Sequence, residues 1–326
     1  MTTKKALITG ITGQDGSYLA ELLLKNGYEV FGIARKDSSN YWRISHILDK
    51  INILNGDVTD AKFLEGTIQR ITPDEVYNLG ARSFVGSSFD NPVQITEINA
   101  LGYLKLLEAI RKNAPDSKLY QASTSELFGN AIQTPQNENT PFSPRNPYGI
   151  TKLFCHWCTI NYRATHGIFA CNGIMFNHES PRRGIEYVTR KITDGVAKIA
   201  AGKQEKITLG NLDTKRDWGF AGDYVEAMWI MLQQKNPDDF VIATGEMRSV
   251  GEFCKLAFEY AGIDDWEKRV EINPAFARLP ETNLLCGDCS KAKKILGWKP
   301  TVSFKELVKG MVEADMERQK TNKNIL

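Results

Sequence analysis

The chain has 326 residues, 41 Lys and Arg against 39 Asp and Glu, a formal charge of +2 and 42% hydrophobic residues. This length buries a large core with room for a second lobe, and the balanced charge argues against a nucleic-acid partner. No apolar run nears the roughly 20 residues of a membrane span, and the start lacks a signal-peptide pattern, so no membrane partner and a cytoplasmic location are expected.

Short apolar runs at residues 6–9, 29–34, 51–56, 75–79, 118–124 and 169–176 alternate with amphipathic stretches at 17–26, 61–71 and 98–113. Strands joined by helical crossovers pack as a parallel sheet covered on both faces, so the expected fold is α/β, a doubly wound parallel Rossmann sheet. Past about residue 177 the alternation loosens into Arg-rich and turn-rich segments. Helices are expected there at 188–201 and 223–233, a strand at 239–244 that returns to the sheet, and an amphipathic helix at 304–320. The expected partition is a nucleotide-binding domain over 1–176, with segments near 213–245 returning to it. A smaller C-terminal α/β substrate lobe is expected mainly over 177–326.

Six cysteines include two CxxC pairs, Cys155/Cys158 and Cys286/Cys289. The first lies in an apolar helical stretch and the second in a turn, where reduced Cys behaves as a small hydrophobe, so no metal is expected.

The first strand runs into a helix through Gly10-Ile11-Thr12-Gly13-Gln14-Asp15-Gly16. Glycines at 10, 13 and 16 permit a tight turn, close approach of backbone to a pyrophosphate, and close helix–strand packing. The helix N-terminus then offers free N–H groups to phosphates. The second strand ends in Arg35, Lys36, Asp37 and Ser38 in place of an immediate carboxylate. Cations and hydroxyls there suit a ribose 2′-phosphate, which favours NADP over NAD.

Tyr148 and Lys152 are four residues apart, on one face of a helix. An ammonium near the phenol is expected to lower its proton affinity towards the working range, for proton exchange with an alcohol during hydride transfer. The fifth strand ends in Ser123-Thr124-Ser125-Glu126, and ligands of such sheets sit beyond the carboxyl ends of the strands. Thr124 can then hydrogen-bond the reacting oxygen, while Glu126 adds a base that a plain dehydrogenase does not require. The alternative for Glu126 is a solvated carboxylate at a helix start.

These residues resemble the extended short-chain dehydrogenase/reductases, most closely the GDP-mannose 4,6-dehydratase family. The resemblance spans nearly the whole chain. Its distinctive segments are Gly10 to Leu19, Ala122 to Gly129, Phe176 to Gly184, Leu209 to Gly219 and Asp223 to Trp229. It implies NADP-dependent conversion of GDP-mannose to GDP-4-dehydro-6-deoxy-mannose with loss of water, with Thr124, Glu126, Tyr148 and Lys152 catalytic. By the same resemblance, cofactor contacts come from residues 10–16, Arg35, Lys36, Ser38, Asp57, Val58, Leu79, Gly80, Ala81, Ser83, His178 and Arg183, with Tyr148 and Lys152. The GDP-sugar would be held by Ser83, Asn177, Val188, Lys191, Leu209, Gly210, Asn211, Arg216, Arg278 and Glu281. Arg182 is a further candidate for the diphosphate.

The chain departs from the family pattern at Arg82, across Arg278 to Asn283, and in a shorter segment over 263–270, where a GDP-heptose would be judged against GDP-mannose. A GDP-4-keto-6-deoxy-mannose reductase needs no carbon-5 base, and a silent NADP-binding regulator needs none of the four catalytic groups. The 35–43 loop resembles one that reaches a neighbouring subunit's cofactor in family tetramers. With helices near 98–113 and 148–166, it points to a homodimer or homotetramer.

Overall fold

A computed structural model of the chain describes residues 3–38, 40–276 and 284–321. The first half alternates as expected: β1 (Lys5–Thr9), α1 (Gln14–Lys25), β2 (Glu29–Ala34), β3 (Asn52–Asn55), α2 (Ala61–Ile71) and β4 (Glu75–Asn78). A short α3 (Pro92–Ile95) leads through a π-turn at Thr96–Leu101 into α4 (Gly102–Asn113), followed by β5 (Lys118–Ala122), α5 (Pro147–His166) and β6 (Ala170–Met175). Asp60 caps α2 by accepting from the N–H groups of Lys62 and Phe63, both at 3.0 Å. Asn146 caps α5, and Gly167 ends it in the left-handed region.

Beyond β6 come β7 (Asn177–Glu179), α6 (Val188–Ala200), β8 (Ile207–Leu209), β9 (Lys215–Phe220), α7 (Ala221–Gln233) and β10 (Phe240–Ile242). The chain continues through β11 (Met247–Ser249), α8 (Val250–Tyr260), β12 (Val270–Ile272), α9 (Ser290–Leu296) and α10 (Phe304–Thr321).

Seven strands form the main sheet, in the order β10-β6-β5-β4-β1-β2-β3, every pair parallel. This is the expected doubly wound sheet, and 240–242 does return to it. One apolar layer, with Leu19, Leu23, Met228 and Met231, packs α1 and α7 on one face. A second, with Leu64, Ile68, Leu107 and Ile110, packs α2 and α4 on the other. The order reverses beside β1, which places the ligand crevice at its carboxyl end.

A second core joins α6, α8 and α10 around Ile192, Val196, Phe253, Phe258, Val308 and Met311. Small sheets β11-β9-β7 and β12-β8 edge it. The Pro181–Arg183 turn lies where this core meets the large sheet. Arg190 Nη1 donates to the carbonyls of Pro181 (3.1 Å) and Arg183 (2.9 Å), Arg318 Nη2 to Pro181 (2.8 Å), and Arg43 Nε to Arg182 (2.7 Å). Asp315 on α10, wholly buried, holds Arg190 and Arg318 in turn. All six cysteines are unbridged. Burial pushes the Cys155 thiol up to about 12 and the Cys286 thiol up to about 11. No helix among the described residues is long and apolar enough to cross a membrane.

Candidate active site

The turn between β1 and α1 builds the floor of the site. Gly10 has φ +72°, and a Cβ there would lie 2.9 Å from the Gly80 Cα on the neighbouring strand end. A Cβ at Gly16 would collide with the Gly10 oxygen and the Ile11 Cα. No side chain caps α1, whose N-cap is Gly13. Backbone N–H groups and the helix dipole are thus presented to an anion, as a diphosphate requires.

Above this turn opens a cavity of about 510 Å³. Gly10, Thr12, Gly13, Gln14, Asp15, Gly16, Arg35, Ser38, Asp57, Val58, Leu79, Gly80, Ala81, Ser83 and Arg183 line it, as expected of cofactor contacts. Ile11 is instead fully buried in the core, and Lys36 is exposed outside the lining. Asp57 folds its Oδ1 back onto the N–H and hydroxyl of Thr59, at 2.9 and 2.8 Å. Arg43, Phe84, Glu186 and Tyr187 also line the cavity and carry no recognisable motif. Arg82 lines it too, with its backbone pinned on both sides by Asn99. The Ser123 hydroxyl at the end of β5 is buried without a protein partner. Cradle, cavity and unpaired hydroxyl together fit a dinucleotide.

Arg43 turns inward. Besides the Arg182 carbonyl it contacts the Thr12 oxygen at 3.4 Å, and burial lowers its guanidinium to about 10. Within its own chain Arg43 lines the cavity and ties the phosphate turn to the Arg182 carbonyl. Arg182 is also withdrawn from any diphosphate role. It is buried, paired with Glu21 at 2.7 Å, bonded to Ser17 and stacked on Tyr18.

The catalytic candidates converge beyond β5. Thr124 caps the turn Ser125–Leu127, its Oγ1 accepting from the Glu126 N–H at 3.2 Å. Glu126 is only 8% exposed, which overturns the solvated alternative. Its Oε2 accepts from Asn146 Nδ2 at 2.8 Å, while Asn146 Oδ1 accepts from the Gly149 N–H at 2.7 Å. One amide therefore ties the carboxylate to the first turn of α5, the helix that carries Tyr148 and Lys152. Burial raises the Tyr148 phenol well above its ordinary value; Tyr187 and Glu126 push the same way, while a hydrogen bond to Thr124 and the charge of Arg183 oppose them. Glu126 and Tyr148 thus lie close enough for the carboxylate to act on the phenol, while Tyr148, Lys152 and His178, expected as cofactor contacts, fall outside the residues lining the cavity.

The expectation that Lys152 lowers the phenol is not met here. The Lys152 ammonium donates to the Ala122 carbonyl at 2.7 Å and lies 5.9 Å from the Tyr148 ring centre. Burial depresses this ammonium as well. Spacing fixed the helix face; the carbonyl at the strand end and the depth of the site decide the electrostatics.

His178 sits behind the phosphate turn. Its Nε2 lies 2.8 Å from Asp15 Oδ2, its Nδ1 lies 2.8 Å from the Phe176 carbonyl, and its ring stacks on Tyr224. With an acceptor at each nitrogen, the ring is an imidazolium. Burial alone would depress it, but Asp15 outweighs burial and raises it. Burial likewise pushes Asp15 up, and His178 pulls it below the usual range.

The expected sugar-nucleotide residues scatter. Asn177 begins β7, Val188 begins α6, and Lys191 is half-buried with its ammonium lowered by burial. Leu209 lies in the second core, followed by Gly210 and an exposed Asn211. Arg216 lies on β9, its Nη1 donating to the Lys215 carbonyl at 2.7 Å. Arg278 and Glu281 lie outside the described residues.

Sheet order, glycine turn and the Tyr148–Lys152 pair define an extended short-chain dehydrogenase/reductase. A model of the family described as GDP-mannose 4,6 dehydratase matches residues 7–311. GDP-mannose 4,6 dehydratase 2 of Arabidopsis thaliana is 53% identical over 333 residues, covering 98% of this chain and 89% of its own. The Homo sapiens GDP-mannose 4,6 dehydratase is 49% identical, with 98% and 93% covered. Among solved structures, UDP-glucose 4-epimerase of Thermotoga maritima with UDP-glucose superposes with a TM-score of 0.86 at 25% identity, covering 97% of this chain and 99% of that one. The dTDP-glucose 4,6-dehydratase of Bacillus anthracis in complex with NAD shares the fold, with a TM-score of 0.84 at 20% identity and 98% of each chain covered. The chain belongs to the GDP-mannose 4,6-dehydratase family.

Proposed function

We propose that this chain is a hydro-lyase that dehydrates GDP-mannose to GDP-4-dehydro-6-deoxy-mannose with a resident nicotinamide cofactor, NADP. The observation that carries the reading is the buried carboxylate of Glu126 beside the phenol of Tyr148, just beyond the carboxyl end of β5. When bound, NADP supplies a hydride acceptor and donor at one place, so the sugar is first oxidised and later reduced with no net redox change. Tyr148 takes the proton of the carbon-4 hydroxyl in its phenolate form, which the Thr124 hydrogen bond and the Arg183 charge favour against burial, and Thr124 orients the reacting oxygen. A ketone at carbon 4 acidifies the carbon-5 hydrogen; Glu126 removes that proton, and as its protonated acid returns it to the carbon-6 hydroxyl, which leaves as water to give the 5,6-alkene. Lys152 holds the Ala122 carbonyl and the strand end against α5.

Arg35 and Ser38 at the cavity edge support the 2′-phosphate of NADP, and Arg183 is the cation best placed for diphosphate or cofactor. Residues 1–176, with segments near 213–245 returning, would form the nucleotide domain, and 177–326 mainly the substrate lobe, built on α6, α8 and α10. A homo-oligomer is supported by apolar side chains left exposed on neighbouring helices: Leu101, Ile150, Phe154 and Trp157. A cytoplasmic setting suits six unbridged thiols.

The test is incubation with GDP-mannose and no added reductant. A 4-keto product without net NADPH use is expected. A requirement for stoichiometric NADPH would indicate a reductase, and NADP binding without product a silent regulator. Glu126→Gln is expected to cut kcat at least about 100-fold while sparing GDP-mannose binding; near-normal turnover would remove Glu126 from the chemistry.

A further inference from the structure

We propose that Tyr187 is a positioning residue that fixes Ser83 and Arg183 from opposite sides of the cavity mouth and so slows release of the dinucleotide. Ser83 follows β4 in the large-sheet lobe, and Tyr187 precedes α6 in the smaller one. Their hydroxyls share a hydrogen bond of 2.7 Å across a sequence separation of 104 residues. The Arg183 guanidinium carbon lies 3.6 Å from the centre of the Tyr187 ring, a close cation–π stack. The Phe84 ring meets the same phenol edge-on, with centroids 5.6 Å apart. All four side chains line the cavity.

This geometry gives Tyr187 two separable tasks. Its ring supports Arg183, whose Nε is also paired with Glu179 at 3.1 Å. Its hydroxyl bridges to Ser83, an exposed side chain with a rotatable hydroxyl. Holding such a group in advance spares its ordering cost when a ligand arrives. A chemistry that returns its hydride to the same sugar needs the carrier to stay in place, so slow release serves the reaction. The inference rests on the dinucleotide reading of the cavity.

The test is a double-mutant cycle on the cofactor-free protein with Tyr187→Phe, Ser83→Ala and the pair. NADPH fluorescence gives the affinity and stopped-flow displacement gives the dissociation rate. Tyr187→Phe keeps both ring contacts and is expected to speed release about five-fold, as loss of one neutral hydrogen bond implies. In the Ser83→Ala background the same change should add nothing, and the melting temperature of the cofactor-free chain should not move. Additive losses, an unchanged release rate, or a stability loss that accounts for the weaker binding would each overturn the proposal. Wild-type protein that binds no NADPH would sink the dinucleotide reading itself; normal wild-type binding with additive variants sinks only the role of Tyr187.

Discussion

The pair Asp15–His178 joins the phosphate turn to the segment after β6, and Gln14 reinforces it by donating to Asp15 (3.0 Å) and to the His178 carbonyl (3.1 Å). The two partners titrate in opposite directions, which sets a pH window. His178 is raised in the folded chain, so its contribution is complete below the unfolded value of about 6.5. That contribution is lost as pH rises through the folded value. Asp15 is lowered, so its contribution is present above about pH 4 and is lost as pH falls through its folded value. The pair therefore stabilises most between about pH 4 and 6.5. His178→Gln keeps a hydrogen-bonding side chain without the charge. Its deficit in melting temperature against wild type is expected to be largest near pH 5–6 and to shrink towards pH 9. A deficit that does not vary with pH would mean that shape, not charge, matters at this position.

Helices and long strands follow from the sequence where periodicity has room to act. The expected 29–34 strand and 61–71 helix match β2 and α2, and the expected 98–113 helix resolves into a π-turn and α4. Strands β7, β8, β11 and β12 have three residues each, too few for a period to register. Helix α8 lies outside the expected elements, although Ser249 and Glu252 form a capping box at its start, a signal present in the sequence. Arg43 and Tyr187 are different. Each acts by reaching across the fold, Arg43 to the Arg182 carbonyl and Tyr187 to Ser83, so no local pattern marks either. At this scale Asp315 is the informative probe. Its carboxylate receives two bonds from Arg190 (2.9 and 2.8 Å) and one each from Arg318 and Thr193 (both 2.6 Å). Asp315→Ala leaves two buried guanidinium groups without their anion, and a loss of about 3–5 kcal/mol in urea unfolding is expected.

Over the whole molecule, the exposed apolar stripe Ile150, Phe154 and Trp157 follows one face of α5, with Leu101 beside it at the head of α4. A second copy covering this face would remove the stripe from water. Trp157→Lys places a charge at the centre of that contact, and light scattering is expected to show a monomer where wild type gives at least a dimer; an unchanged mass would move the interface elsewhere. The grip on the Pro181–Arg183 carbonyls has a practical corollary at the other end of the chain. Because Asp315 and Arg318 close that grip from the last helix, shortening the protein ahead of residue 315 should loosen Arg183 at the cavity before it disturbs the parallel sheet. Trimmed versions prepared for crystallisation would then look well folded by circular dichroism and yet bind nucleotide poorly.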